Sequence, residues 1–102
     1  MDRTLVIAST SLETVLVPVS NVNGTNLSTL PVQMAFTPGE PAGGDWKAAT
    51  WTTLTNPTRY LASCLVGPGG TVTLAEGTYQ VWVKVTATPE IPVKLSGYVL
   101  VT

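Results

Sequence analysis

Gly77-Thr78-Tyr79-Gln80-Val81-Trp82-Val83-Lys84-Val85-Thr86 is the stretch that decides the fold. In an extended chain Tyr79, Val81, Val83 and Val85 share one face, and Gln80, Trp82, Lys84 and Thr86 share the other. This is the period-2 pattern of a half-buried strand, and it predicts one over residues 78–86. Leu74 and Gly77 lead into it, so the segment reads Leu-x-x-Gly-x-Tyr-x-Val-x-Val. Gly77 permits a turn between two sheets, and the valines then enter a core. Tyr79 is placed to pack its ring at the corner and to return its hydroxyl to the preceding loop.

That combination matches the tyrosine corner of immunoglobulin-like sandwiches. The rest of the chain agrees with it, because alternation recurs and no 3.6-residue period appears. Strands are predicted over residues 4–8, with Leu5 and Ile7 on one face, and over 13–20, with Val15, Val17 and Val19 on one face. Pro18 cannot donate to a ladder, which makes the second strand an edge or bends it. Further strands are predicted over 31–37, 46–53, 59–66, 71–74 and 93–101, with Gly97 as a bulge. Val32, Met34 and Phe36 share a face of the third. Turns fall at Asn23-Gly24, Asn56-Pro57, Gly67-Pro68-Gly69-Gly70 and residues 88–92. Residues 38–45 carry too much Gly and Pro for an element, and they are the expected mobile loop. The fold class expected is all-β: an immunoglobulin-like β-sandwich of seven to eight mostly antiparallel strands, forming a single domain over residues 1–102.

Composition narrows function by exclusion. The 102 residues contain no His, one Cys, five basic and six acidic residues. Without His there is no Ser-His-Asp or Cys-His site, and no zinc site built from His and Cys. The carboxylates Asp2, Glu13, Glu40, Asp45, Glu76 and Glu90 are scattered, with no calcium-loop spacing and no evident acid–base pair. Gly67-Pro68-Gly69-Gly70 is not followed by the Lys of a phosphate loop. No catalytic, cofactor or metal residues are expected, and the chain reads as a non-enzyme. No basic stripe suggests nucleic acid. The opening Met1-Asp2-Arg3 runs straight into a short apolar strand, with no export signal and no membrane span expected. The two Asn-x-Ser/Thr matches at Asn23 and Asn26 then read as turn chemistry. Cys64 lies in an apolar run and reads as a small core residue.

Charged residues make up only 11% of the chain, against roughly 25% in an average soluble domain. Part of the apolar surface is therefore expected to be covered by other protein subunits or by further copies of the chain. Trp82 falls on the outward face beside Gln80 and Lys84. The candidate contact residues are Trp82, Lys84, Trp46 and Trp51, with Pro38, Glu40 and Pro41 of the Gly/Pro-rich loop and the termini. The three tryptophans also admit a second reading, a platform for host-surface glycans.

Several segments resemble those of one protein group: Glu13-Thr14-Val15-Leu16-Val17-Pro18-Val19; Gln33-Met34-Ala35-Phe36 with Gly44-Asp45-Trp46-Lys47-Ala48-Ala49-Thr50-Trp51; Cys64-Leu65-Val66-Gly67-Pro68-Gly69-Gly70; residues 77–86; and Pro89-Glu90-Ile91-Pro92-Val93. Together they resemble small immunoglobulin-like structural proteins of tailed phages infecting actinobacteria, and at fold level the adaptor domains of baseplate proteins. The resemblance implies a virion component, assembled in the bacterial host cytoplasm. Its leading placement is a minor capsid or decoration protein bound to the major capsid protein. A head–tail connector or baseplate location is the alternative. The resemblance carries no catalytic residues to transfer.

Overall fold

The alternating segments become strands. In the computed structural model, which describes residues 4–19, 27–55, 59–86, 91 and 93–102, eight strands follow in chain order. They are β1 (Thr4–Ile7), β2 (Glu13–Val19), β3 (Val32–Thr37), β4 (Lys47–Ala48), β5 (Thr50–Leu54), β6 (Arg59–Val66), β7 (Gly77–Val85) and β8 (Val93–Val101). The turns predicted at Asn23-Gly24 and Asn56-Pro57, and most of residues 88–92, lie outside the described residues.

The strands form two sheets, one of five in the order β1-β8-β7-β3-β4 and one of three in the order β2-β6-β5. β1 runs parallel to β8, and every other pairing is antiparallel. β2 is an edge, as Pro18 requires: a residue with no N–H is tolerated where no further strand needs one. Thr102 closes the five-stranded sheet by donating its N–H to Ile7 O at 2.9 Å and accepting from Ser9 N–H at 2.7 Å.

One core lies between the sheets. Val15, Val17, Ala62, Cys64 and Val66 reach it from the small sheet. Ile7, Val32, Met34, Phe36, Val81, Val83, Val85, Val99 and Val101 reach it from the large one. Ten of the buried residues are valines. Their branched side chains have few rotamers to lose and suit a pleated surface, and each contributes about 1.5–3 kcal/mol when fully buried. The predicted corner forms as well. Tyr79 packs against the core, and its hydroxyl donates to Ala75 O at 2.9 Å.

Three local expectations change. The strand predicted over residues 46–53 is broken at Ala49, whose N–H donates to Val32 O at 3.1 Å. The chain there leaves the large sheet (β4) and enters the small one (β5). Residues 71–74 do not form a strand. Only Val72 bridges, to Val66, because Gly67 N–H and Leu65 O hold it inside a tight turn. The loop at 38–45 contains a 3-10 turn, Gly43–Asp45. Asp45 fixes it by accepting from Ala42 N–H at 2.8 Å while its own N–H donates to Ala42 O at 3.0 Å. The Gly97 bulge is present: Val81 pairs with Gly97 and Trp82 with Leu95, leaving Ser96 as the extra residue.

Candidate interaction surfaces

The outer face of the five-stranded sheet brings together three of the expected contact residues, Trp82, Lys84 and Trp46. In register, Gln33, Ala35 and Thr37 of β3 oppose Lys84, Trp82 and Gln80 of β7. On the other side of β7 these three oppose Val93, Leu95 and Tyr98 of β8. Directly opposed Cβ atoms lie about 5 Å apart, so the Trp82 indole stands beside Ala35, which has no exposed surface. Trp82 is half-buried, and its indole N–H donates to Gln80 Oε1 at 3.0 Å. That bond fixes the ring along the sheet.

Trp46 joins this face from the loop. The 3-10 turn at Gly43–Asp45 delivers it just before β4, and Lys84 Nζ lies 4.6 Å from its ring centroid. An ammonium over an indole face is attracted by the ring quadrupole, typically by about 0.5–1 kcal/mol at exposed sites. Lys84 is half-buried and makes no ion pair among the described residues. Pro38 and Glu40 are exposed and Pro41 half-buried, in the loop that leaves β3 at its Gln80 end. Thr37 Oγ1 donates to Gly39 O and anchors that end.

Trp51 lies apart from the others. β5 points it inward, where it packs against the core and stacks edge-on to Tyr60 at 6.3 Å between centroids. Its indole N–H donates to Leu30 O at 2.8 Å. Its area is spent within the chain. Of the three tryptophans, only Trp46 and Trp82 share a face.

A second surface lies on the outer face of the small sheet. Leu16 of β2 and Leu65 of β6 point away from the core and are exposed, with Leu61 half-buried between Pro18 and Thr52. Ser63, at the middle of the face, is buried. Its hydroxyl lies 2.9 Å from Thr50 Oγ1 and donates to Thr50 O at 3.1 Å. The candidate residues drawn from alternation omit this face, yet the sequence carried a signal for it. Thr14-Val15-Leu16-Val17 and Leu61-Ala62-Ser63-Cys64-Leu65-Val66 are close to continuous apolar runs, the mark of a strand covered on both sides.

Between the two sheets, beside the edges formed by β1 and β2, opens a small apolar cleft. Leu5, Val17, Pro18, Val81, Tyr98 and Val99 are among the residues lining it. It presents few polar groups and no charge. Cys64 is buried in the core, and burial pushes its thiol pKa above the ordinary value, so the thiolate is disfavoured. Among the described residues no three His, Cys, Asp or Glu side chains come together to hold a metal ion, and no helix is long and apolar enough to cross a membrane. The described surfaces offer shape, aromatic area and aliphatic area. Comparison with protein-family models, with curated proteins and with solved structures finds no match.

Proposed function

We propose that the chain is a structural component of a tailed-phage virion, an immunoglobulin-like sandwich that acts by packing against other subunits. The observation that carries the assembly reading is the outer face of the five-stranded sheet. There Trp82 stands between Ala35 and Leu95, with Tyr98 and Val93 along the same face of β8, and the cation beside them, Lys84, is already held by Trp46. Aromatic residues flanked by aliphatic ones, with charge kept out of the centre, are the composition of an interface core. The scarcity of charge in the whole chain supports the same reading.

Two features support the immunoglobulin-like assignment. The strand order places β2-β6-β5 opposite β8-β7-β3, as in Greek-key sandwiches, with a first strand parallel to the last. The tyrosine at the start of the penultimate strand bonds back to the preceding loop. The chain departs from antibody domains at Val81, which stands two residues after this tyrosine, where those domains carry a cysteine. Valine packing takes over the role of the disulfide.

Within the particle, we favour a minor capsid or decoration protein lying on the major capsid protein lattice. The support is the resemblance in sequence together with the aromatic sheet face described above. Mass spectrometry of purified particles tests it: the chain should be present in stoichiometric amounts. Deleting its gene should leave heads that fill but rupture at lower temperature. Heads that fail to join tails would instead indicate a connector or baseplate role, and absence from particles would sink the proposal. The glycan-platform reading has less support. Trp51 packs on the core, Lys84 covers one face of Trp46, and stacking on a sugar needs an open ring face.

A further inference from the structure

We infer that β1 is a self-association edge, along which a second copy of this chain pairs its own β1 antiparallel about a two-fold axis at Val6. This rests on the assembly reading and deepens it by naming one partner. A sheet edge presents a row of unpaired N–H and C=O groups, and the chemistry that satisfies such a row is another extended backbone. The two sheets end in β1, β4, β2 and β5. Three of these edges are obstructed. β2 carries Pro18, which has no N–H to offer. β4 is two residues long and carries the exposed Lys47. β5 has the 3-10 turn Leu27–Thr29 against it, tied down by the Trp51 bond to Leu30 O. β1 has none of these devices: Thr4–Ile7 holds no charge and no proline, and its register with β8 is unbroken.

The bonds at the end of β1 show which of its groups face outward. Ile7 O accepts from Thr102 N–H, and Ser9 N–H donates to Thr102 O. Odd-numbered residues therefore turn their backbone groups toward β8, and by strand alternation Thr4, Val6 and Ala8 turn theirs away from the sheet. Ala8 O accepts from Ser11 N–H at 3.0 Å and keeps a second lone pair. Exposure follows the same geometry. Val6 is 60% exposed and Ala8 is exposed, while Ile7 between them is 2% exposed.

This parity selects the orientation and the register. In a parallel pair each bonding residue lies opposite a non-bonding one, which a two-fold axis between identical strands cannot supply. An antiparallel pair sets bonding residues opposite each other. Centring the axis on Val6 uses the whole outward row: the two Val6 residues exchange both bonds, and Thr4 of each copy pairs with Ala8 of the other. Leu5 then opposes Ile7 of the second copy, in the closer, non-hydrogen-bonded type of pair. That covers Leu5, which is 39% exposed at the mouth of the apolar cleft between β1 and β2. The edge is short, so the pair is weak in dilute solution and forms where copies are held close together.

Sedimentation velocity on the full chain, from about 10 μM to about 1 mM, tests the inference. Reversible dimerisation is expected, changing little with salt because uncharged groups make the contact. Val6→Pro should abolish it, since this N–H points away from β8 and serves no bond within the sheet. Val6→Lys should weaken it about tenfold or more, because two like charges then face each other across the axis. Circular dichroism checks the fold of both variants, and if Val6→Pro does not fold, Val6→Lys at its exposed position decides. Amide exchange followed by NMR should slow at Val6 as concentration rises. A chain that stays monomeric throughout overturns the inference. So does a dimer that survives Val6→Lys, or one in which exchange at Val6 is independent of concentration. Because these measurements use purified chain alone, their failure is distinguishable from absence of the protein from virions.

Discussion

The hydroxyl of Tyr79 sits 2.9 Å from the carbonyl of Ala75, in a partly exposed corner where water competes for both groups. Tyr79→Phe keeps the ring against the core and removes only this bond. The expected loss is about 0.5–1 kcal/mol, at the lower end for a neutral hydrogen bond, and a urea titration with unchanged slope checks it. Cys64 gives a residue-scale test of a different kind. Burial raises the pKa of its thiol in the folded chain. At pH values above the ordinary thiol range the unfolded chain then binds fewer protons than the folded one, so stability falls as pH rises. The contribution is intact below the unfolded thiol's pKa and is lost as pH climbs through the folded value. Tyrosines and lysines also titrate at high pH, so the measurement is comparative. Cys64→Ala should lose less stability than the parent between neutral and alkaline pH. Its absolute stability should be lower at neutral pH, because a core position is left underfilled.

At the scale of the element, the turn after β6 shows how backbone geometry fixes a strand's end. Gly67 has φ +133°, and a Cβ there would lie 2.1 Å from Ser11 O, inside the segment that leads into β2. Gly69 also has a positive φ, +83°, but nothing lies within 4 Å of its Cβ position. Gly67→Ala should therefore cost about 2–4 kcal/mol, combining backbone strain with a forced shift of residues 11–12. Gly69→Ala should cost only about 1 kcal/mol. Thermal melts of the two variants separate them, and equal losses would mean that the close approach to Ser11 is unimportant. The same elements mark what could be read from sequence. β6 follows the alternation to the residue, with Ala62, Cys64 and Val66 on its core face, and β8 does so only beyond the bulge, where Val99 and Val101 face the core. The break between β4 and β5 was not legible, because Ala48 and Ala49 fit either face and the crossing is set by contacts with β3. Trp82 was legible as outward by parity with Val81 and Val83. Trp51 was not: the change of sheet at Ala49 decides where it points, and no local residue announces that change. The leucine face escaped because Leu16 and Leu65 occupy the positions that alternation assigns to polar residues.

At the scale of the whole molecule, the two sheets share one core but present different outer faces, one aromatic with a held cation and one of leucine and threonine. A domain with so few charges has little to keep it dispersed, and under the proposed virion role each face removed from water would add to the contact with neighbouring subunits. Trp82 is the residue at which folding and assembly can be separated. It lies outside the core cluster, opposite Ala35 on one side and Leu95 on the other. Its truncation should therefore cost the isolated domain about 1 kcal/mol, mainly through Ala35 and the lost bond to Gln80. A tryptophan at the centre of a desolvated contact is worth at least about 2 kcal/mol to binding. Trp82→Ala should accordingly lower occupancy on purified particles, measured by quantitative mass spectrometry, by about thirtyfold at limiting concentration. The melting temperature of the free domain should move by only about 4–8 °C. If the melting temperature collapses instead, Trp82 is part of the folding core. If occupancy is unchanged, the particle contact uses another face, and the leucine sheet is the next to examine.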